Sequence, residues 1–372
     1  MKYVRMPIEV ESPEEMGYGN ISYNLAESSI RDINMNTLDV DLKNLVLFYG
    51  EHKGLGKLRE AIKEDSTLLT ADDVLVTTGA ATALFIVATT LLNPEDHLVV
   101  IRPNYGTNLE TPRAFKCQMS IVDLTFESGF EIDVHAIEAV IQPHTKLISV
   151  TTPHNPSGKL YSKQTITALA QLAEKYNCRL LVDETYRDLN FKSELLPYYA
   201  ELSERVISVS SVSKSFGAPG ARIGWIVNRD KKLMHDFLAA KEQITICNSV
   251  LDEEVAYYLL HNKQAILAEN HKNISTNFAY LKEWFAQQPY LEWVEPGAGV
   301  VCFPRLKAGY TVDKDTFYDT LFKKYGTIVG PGHWFEHDKI YMRIGFGYPG
   351  FEELKTGLAN LQKCFDEMAR KV

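Results

Sequence analysis

The amino-acid sequence predicts an α/β protein with a doubly wound, mostly parallel sheet and a smaller α+β domain. Between residues 74 and 227, short apolar runs rich in β-branched residues alternate with helical segments, which is the pattern of βαβ units. Beyond residue 285 the pattern changes to short strands interspersed with helices. We therefore expect an N-terminal arm that forms part of the small domain (1–48), a large domain (49–285) and a small C-terminal domain (286–372).

Composition excludes several classes of protein. The chain has 372 residues, 45% of them hydrophobic, and a net charge of −9, which allows a substantial core and argues against a nucleic-acid-binding surface. Its five cysteines are scattered and form no C-x-x-C pair, so they indicate a reducing, cytoplasmic setting and neither a disulfide framework nor a zinc ribbon. We expect no export signal and no membrane span, because no apolar run has the necessary length. His333 and His337 lie in a loop rich in Gly and Pro, so we expect no metal site there.

The elements follow in order along the chain. Residues 1–48 are rich in Pro, Gly, Asn and Asp, which predicts irregular structure with at most a short strand at 21–25. A glycine-rich turn then leads into an amphipathic helix at 55–62. The strands expected in the large domain are 74–77, 98–101, 119–122, 147–150, 179–182, 206–209 and 223–227. Its helices are expected after residue 79, from about 108, and at 135–141, 163–176, 233–240, 250–260 and 263–285. The C-terminal part contributes strands at 300–303, 328–330 and 340–344 and helices at 315–324 and 351–369.

The turn after the strand at 74–77 is a candidate anion site. Gly79, Ala80 and Ala81 lie between this strand and a helix of small residues. Backbone N–H groups and the positive end of a helix dipole suit a phosphate at such a turn. An ordinary βα turn is the alternative interpretation. A dinucleotide is less favoured, because G-x-G-x-x-G is absent.

Polar residues follow three further strands. Tyr105 follows the strand at 98–101, Asn155 the strand at 147–150, and Asp183 and Tyr186 the strand at 179–182. Each has an alternative explanation as turn or cap chemistry. Because ligands of open α/β sheets bind at the carboxyl ends of strands, their shared position favours one site.

A lysine follows the strand at 206–209. Lys214 lies close to Ser211 and eight residues before Arg222, in a segment of the pattern S-x-S-K followed by G-x-R-x-G. A desolvated lysine near other cations can form a Schiff base, while Ser and Arg hold a phosphate. By itself this motif also fits a solvated loop, so its interpretation depends on the strand ends upstream.

Taken together, these motifs resemble the fold-type I, pyridoxal phosphate (PLP)-dependent aminotransferases of the class I/II family. The matching positions run in the family's order from Tyr49 to Arg343. The resemblance implies a PLP-dependent transferase-like large domain and a homodimer. It also implies a cytoplasmic enzyme of amino acid metabolism that moves an amino group from an L-amino acid to a 2-oxo acid through a Schiff base on Lys214.

The resemblance also implies roles for single residues. Lys214 would carry the cofactor, Asp183 would pair with the pyridine nitrogen, and Asn155 and Tyr186 would donate to the phenolate oxygen, with Lys214, Asp183 and Tyr186 as the catalytic set. Tyr105 would stack on the pyridine ring. The phosphate would be held by the turn of Gly79, Ala80 and Ala81, by Ser211 and Arg222, and by Tyr49 of the other subunit. Arg343, with Asn155, would bind the α-carboxylate of the substrate.

The segment 24–29 departs from the family pattern, which often has a glycine and a proline there. Glu27 occupies this place, and we expect it near the substrate, where a carboxylate favours a side chain that is basic or rich in hydrogen-bond donors. The alternatives are a solvated Glu27 or an ion pair with Arg31. No second arginine for a dicarboxylate is identified; Arg31, Arg113 and Arg187 remain candidates, and aspartate specificity is not assumed.

Two other functions remain open at this point. The same residues serve a PLP-dependent lyase, cyclase, decarboxylase or oxidase acting on an amino acid. A non-catalytic sensor module, as in some transcription regulators, is the second alternative. It is opposed by the lack of room for a DNA-binding domain before Tyr49 and by the retention of Lys214 and Asp183.

Overall fold

The computed structural model describes residues 1–190 and 197–372 of the chain. Its strands are β1 (Tyr23–Asn24), β2 (Val74–Thr77), β3 (His97–Arg102), β4 (Gln118–Asp123), β5 (Thr145–Thr151), β6 (Arg179–Asp183), β7 (Val206–Ser211), β8 (Gly224–Val227), β9 (Leu291–Glu292), β10 (Val301–Cys302), β11 (Arg305–Leu306), β12 (Tyr310–Thr311), β13 (Thr327–Ile328), β14 (Gly330–Pro331), β15 (Met342–Gly345) and β16 (Arg370–Lys371). Its helices are α1 (Pro7–Val10), α2 (Pro13–Met16), α3 (Gly56–Lys63), α4 (Gly79–Leu91), α5 (Thr107–Ala114), α6 (Val134–Ala139), α7 (Lys163–Lys175), α8 (Val212–Ser215), α9 (Lys231–Ile244), α10 (Val250–His261), α11 (Lys263–Ala286), α12 (Lys314–Lys323) and α13 (Phe351–Met368).

A seven-stranded sheet forms the centre of the fold, in the order β2-β8-β7-β6-β5-β3-β4. Strands β4, β3, β5, β6 and β7 pair in parallel, whereas β8 runs antiparallel to both β7 and β2. The connection from β7 to β8 contains only the four-residue helix α8 and a 3₁₀ turn (Pro219–Ala221), and a parallel crossover usually needs a full helix, so β8 returns antiparallel. The mostly parallel α/β sheet expected from the sequence is confirmed.

Helices cover both faces of this sheet. Alternate residues of β3 point to opposite sides, so Val99 and Ile101 join one apolar cluster while Leu98 and Val100 join another. The first cluster packs against α7, and the second packs against α4 and α9. Because both faces are covered, β7 and β8 are buried along their whole length, as their apolar runs predict.

The C-terminal part has its own core. Strands β10, β15 and β14 form a three-stranded antiparallel sheet. A third apolar cluster joins α11, α12 and α13 to this sheet, and Leu25 of the arm contributes to it. The arm is tied to the same region, because β1 pairs in parallel with β13.

The arm contains two single-turn helices, α1 and α2, that the sequence did not predict. Each begins at a proline, Pro7 or Pro13, and proline is well suited to the first position of a helix. The Ser12 side chain caps α2 by accepting a hydrogen bond from the backbone N–H of Glu15 at 3.4 Å. Four-residue helices carry no apolar periodicity, so sequence patterns do not reveal them.

The five cysteines form no disulfide, and all except Cys247 are buried. Within the part of the chain that the structure describes, the helices are too short or too polar to cross a bilayer.

Candidate active site

A cavity of about 260 Å³ lies where β5, β6 and β7 end, between the central sheet, the arm and β15. It collects every predicted site residue except Gly79 and Tyr49: Glu27, Ala80, Ala81, Tyr105, Asn155, Asp183, Tyr186, Ser211, Lys214, Arg222 and Arg343. The strand-end segments that the sequence singled out therefore meet in one place.

The turn between β2 and α4 is closely packed against Arg222 and β8. Gly79 has φ +79°, and a Cβ on it would lie 2.7 Å from Nη2 of Arg222. A Cβ on Gly224 would lie 2.5 Å from the backbone nitrogen of Ala80. These two glycines let the guanidinium and β8 approach the first turn of α4, where N–H groups are free of helical partners. The turn thus combines helix amides with a cation, as a phosphate requires.

Asp183 ends β6 and is buried, with 4% of its surface exposed. Its Oδ1 accepts hydrogen bonds from the backbone N–H and the hydroxyl of Thr185, at 3.1 and 2.5 Å. Burial raises the pKa of this carboxyl, although the hydrogen bonds from Thr185 and Asn108 act in the opposite direction. Among the described residues no Lys, Arg or His forms an ion pair with it. A buried carboxylate of this kind suits a ligand that brings its own positive charge.

Lys214 lies in α8, directly after β7. The Ser211 side chain caps this turn by accepting from the N–H of Ser213 at 3.3 Å. The carbonyl of Lys214 accepts from the N–H of Ile30 at 3.2 Å, which fixes its backbone against the arm. Its Nζ makes no hydrogen bond or ion pair with any residue that the structure describes, so the amine is available to a ligand in the cavity.

Arg343 is buried, with 4% of its surface exposed, and it has no carboxylate partner within the described residues. Its guanidinium donates from Nη1 to Oδ1 of Asn155 at 3.1 Å and from Nη2 to the carbonyl of Ala26 at 2.6 Å. Its Nε has no hydrogen-bond partner among the described residues. Burial lowers the pKa of the Arg343 guanidinium. A bound carboxylate would supply the missing acceptor and the missing negative charge.

His154 joins two of the strand-end loops. Its Nε2 lies 2.8 Å from the carbonyl oxygen of Pro103, and its Nδ1 lies 2.7 Å from the hydroxyl of Ser157. Burial lowers its pKa to about 4, so the imidazole is neutral at pH 7 and can donate at one nitrogen and accept at the other. It ties the loop that carries Asn155 to the loop that carries Tyr105. Sequence reasoning did not single it out, because a polar residue next to Asn-Pro looks like ordinary turn chemistry.

Three other predicted residues occupy different environments. The hydroxyl of Tyr105 donates to Oε1 of Glu9 at 3.1 Å, so this half-buried tyrosine is held by the arm. Glu27 is half-buried in the cavity and accepts from the hydroxyl of Tyr18 at 3.3 Å. It does not pair with Arg31, which instead forms an ion pair with Glu353. Tyr49 lies outside the cavity and is 79% exposed.

None of the candidate second arginines reaches the cavity. Arg31 pairs with Glu353, Arg113 pairs with Glu110 and Glu336, and Arg187 lies over the ring of Tyr198 and 3.7 Å from Asp65. Sequence reasoning also missed cavity residues, namely Glu9 and Glu14 of the arm and Trp334. For the two glutamates, the only signal in the sequence was a concentration of glutamates between residues 9 and 15.

The two loop histidines contact protein groups. Nε2 of His333 lies 2.8 Å from Oε2 of Glu11, and the ring of His337 packs against Tyr341. In residues 1–190 and 197–372 there is no cluster of three or more His, Cys, Asp or Glu suited to a metal.

The cavity fits PLP on its own geometry. It offers a helix-end cradle with a cation for a phosphate and, among the residues that the structure describes, a buried carboxylate without a cation and a lysine amine without a partner. These are the groups that this cofactor's phosphate, ring nitrogen and aldehyde need.

Comparison with known proteins gives a consistent result. The family model for aminotransferase class I and II matches residues 16–353. Capreomycidine synthase of Streptomyces vinaceus is 29% identical over 89% of this chain and 84% of its own. The arginine–pyruvate transaminase AruH of Pseudomonas aeruginosa is 26% identical over 86% of this chain and 83% of its own. The crystal structure of a PLP-dependent aminotransferase from Streptococcus suis superposes with a TM-score of 0.90 at 27% identity, over the full length of both chains.

Proposed function

Because the chain belongs to the aminotransferase class I and II family of PLP enzymes, we propose that it transfers an amino group from an L-amino acid to a 2-oxo acid, with Lys214 as the amine that carries the cofactor. The observation that carries this proposal is the meeting of three groups in one cavity. Within residues 1–190 and 197–372, Lys214 offers a free amine, Asp183 a buried carboxylate and Arg343 a buried guanidinium without a counterion.

Different residues of the cavity would bind the cofactor and the substrate. The backbone amides of Ala80 and Ala81, in the turn that begins with Gly79, would hold the phosphate together with Ser211 and Arg222. Asn155 and Tyr186 would donate to the phenolate, and Tyr105 would pack against the ring. Arg343 would bind the α-carboxylate, and its bond to Asn155 would link the substrate-binding and cofactor-binding groups.

When bound, PLP withdraws electrons from the α-carbon of the substrate. Asp183 would keep the ring nitrogen protonated, because burial makes an unpaired carboxylate costly and the pyridinium would relieve that cost. The Nζ of Lys214 would accept the α-proton of the substrate and return it to a carbon of the cofactor. Arg343 would orient the substrate through two parallel hydrogen bonds, which a lysine cannot form.

A second candidate function uses the same residues. One relative is named a synthase and not a transaminase, so the family resemblance includes other outcomes on an amino acid substrate. A PLP-dependent lyase, cyclase, decarboxylase or oxidase would need the same amine, carboxylate and arginine. The two functions differ in their product, since only transamination moves the amino group to an added 2-oxo acid.

We also propose that the enzyme is a homodimer. A patch of exposed apolar side chains consists of Val46, Leu47, Phe48, Tyr49, Ile244 and Ile246. His52 joins the two segments of this patch, because its carbonyl accepts from Nζ of Lys241 at 2.5 Å and its ring lies 2.6 Å from Glu242. Exposed apolar side chains on two segments that His52 connects support an interface with a second copy. Tyr49 is one of these exposed residues, which supports the proposal that it contacts the phosphate of the partner subunit.

Two coarser features complete the proposal. The core around α12 and α13 supports a small domain (286–372) beside an arm (1–48) and a large domain (49–285), and α11, at the end of the large domain in this division, also packs into that core. The free cysteines support a cytoplasmic location, where thiols stay reduced.

The test combines covalent trapping with product analysis. Borohydride reduction of the holoenzyme should fix the cofactor to Lys214, and peptide mapping should find it on no other lysine. With an L-amino acid and a 2-oxo acid, mass spectrometry should find the exchanged pair of products. An adduct on another lysine would refute the site, and a deaminated or cyclised product without amino transfer would favour the second function.

A further inference from the structure

The arm supplies much of the lining of the cavity. Ile8, Glu9, Ser12, Pro13, Glu14, Ala26, Glu27 and Ser28 all face it. Apart from the residues proposed for the cofactor, the charged side chains among the described lining residues are one arginine, Arg343, and three glutamates, Glu9, Glu14 and Glu27. We call these three glutamates the acidic wall.

The acidic wall has no cation of its own. Within the described part of the chain, no Lys, Arg or His lies within ion-pair distance of the carboxylates of Glu9, Glu14 or Glu27, although Arg5 donates to the backbone carbonyl of Glu9 at 3.2 Å. Neighbouring glutamates of the arm do have partners, since Glu15 lies 3.4 Å from Arg5 and Glu11 lies 2.8 Å from His333. The unpaired carboxylates are therefore those that face the cavity.

Glu14 and Glu27 act together on the groups around them. Tyr18, whose hydroxyl donates to Glu27, has its pKa raised by burial and then by the charges of Glu27 and Glu14. The same two carboxylates oppose the effect of burial on the pKa of Arg343. Both charges are thus felt at the hydroxyl of Tyr18 and at the guanidinium of Arg343.

Backbone contacts fix Glu27 relative to Arg343. The N–H of Gly345 donates to the carbonyl of Leu25 at 2.7 Å, and Arg343 donates to the carbonyl of Ala26 at 2.6 Å. The carbonyl of Glu27 lies where a Cβ on Gly345 would be. Arg343, the proposed partner of the α-carboxylate, and Glu27 therefore lie on adjoining backbone segments. The fold thus sets the separation between these two side chains.

From this arrangement we propose that the substrate is an amino acid with a cationic side chain, whose positive end is bound by Glu14 and Glu27. The proposal rests on the proposed function, because it takes Arg343 as the partner of the α-carboxylate. With that carboxylate on Arg343, the side chain extends along the remaining lining. Ile8 and Trp334 offer apolar surface to its methylene groups, and the carboxylates offer acceptors to a guanidinium or an ammonium.

The test compares L-arginine with L-citrulline, which has nearly the same shape but a neutral end. Binding to the holoenzyme is followed by the change in visible absorbance of the cofactor, and turnover by the 2-oxo product. Glu14→Gln, Glu27→Gln and the double variant remove the charges while keeping a side-chain carbonyl to accept from Tyr18. Glu15→Gln is the matched control, because Glu15 lies on the same short helix but does not line the cavity. Glu9 is left unchanged, since it holds Tyr105.

We expect the wild type to bind arginine at least about tenfold more tightly than citrulline, and each single variant to lose about tenfold in affinity for arginine. Affinity for citrulline should change little, and the double variant should show almost no preference. Equal binding of the two ligands by the wild type, or a preference that survives in the double variant, would overturn the proposal.

The two proposals can fail separately. Preferential binding of arginine without transfer of its amino group would leave the specificity standing and refute the transamination. Transamination of leucine with no preference for arginine over citrulline would refute the specificity alone.

Discussion

Gly224 offers a sharp test of how the phosphate turn is built. It pairs with Thr77 of β2 on one side and with Ser211 of β7 on the other, beneath the first turn of α4. A Cβ on it would lie 2.5 Å from the nitrogen of Ala80 and 2.5 Å from the carbonyl carbon of Gly79. Ordinary contacts need about 3.4 Å or more, so Gly224→Ala must displace α4 by nearly 1 Å. These are backbone atoms, which cannot rotate aside.

The displacement should weaken cofactor binding and stability together. Overpacking of this kind costs about 1–3 kcal/mol. A shift of nearly 1 Å would also break hydrogen bonds from the amides of Ala80 and Ala81 to a phosphate, each worth about 1.5–3 kcal/mol. Since about 1.4 kcal/mol corresponds to a tenfold change, the dissociation constant for PLP should rise by about tenfold to a hundredfold.

The assay is titration of the apoenzyme with PLP, together with the urea midpoint of unfolding. Gly220→Ala is the control, because a Cβ there has no atom within 4 Å although it lies in the same motif. The control should retain wild-type values. A Gly224→Ala variant with unchanged PLP affinity would refute the role assigned to this turn.

Three further predictions concern acid stability, assembly and the acceptor. The pKa of buried His154, about 4, lies below its unfolded value of about 6.5. Between these two pH values the unfolded state therefore binds more protons than the folded state. The free energy of unfolding should thus fall by about 3 kcal/mol as the pH drops from about 6.5 to about 4. His154→Gln should lose less of its urea midpoint on acidification than wild type, whereas the exposed control His235→Gln should lose as much. Leu47→Asp should produce monomers in sedimentation experiments, and the exposed control Val372→Asp should not; a monomeric wild type would refute the interface. Pyruvate should accept the amino group faster than 2-oxoglutarate, whose second carboxylate would face Glu27, and the reverse order would contradict this view of the cavity.

The sequence was sufficient to predict the sheet and most of the residues that gather at its edge. Strands such as β2 and β7 are fully buried runs rich in β-branched residues, and polar residues follow at their carboxyl ends, so a residue's place after a strand predicts its place at the edge of the sheet. Lys214 and Asp183 could therefore be assigned to one site before any contact was known. The remote arginine, Arg343, was assigned only through the family resemblance, because no local pattern links β15 to the central sheet.

The arm could not be predicted in the same way. Its helices α1 and α2 are one turn long, and its position depends on tertiary contacts, such as the bond from Tyr105 to Glu9 and the pairing of β1 with β13. Glu27 was singled out only because it departs from a family pattern. Glu9 and Glu14 had no such signal, and three glutamates scattered over residues 9–27 converge only once the arm has folded over the cavity.

The separation of these two regions has a consequence for how the enzyme works. The groups proposed for the chemistry, Lys214 and Asp183, are attached to the central sheet, whose hydrogen-bond ladders hold them. The acidic wall belongs to the arm, whose backbone contacts include those with β13, with β15 and, at Ile30 and Ile33, with the loop that carries Lys214. Because the side chains of Glu14 and Glu27 make no hydrogen bond to Lys214 or Asp183 among the described residues, substitutions of these two glutamates should change which side chain is accepted without moving the amine or the carboxylate. Arg343 contacts both regions, through Asn155 on one side and Ala26 on the other, so in the proposed binding mode it would position the substrate side chain relative to the reacting carbon.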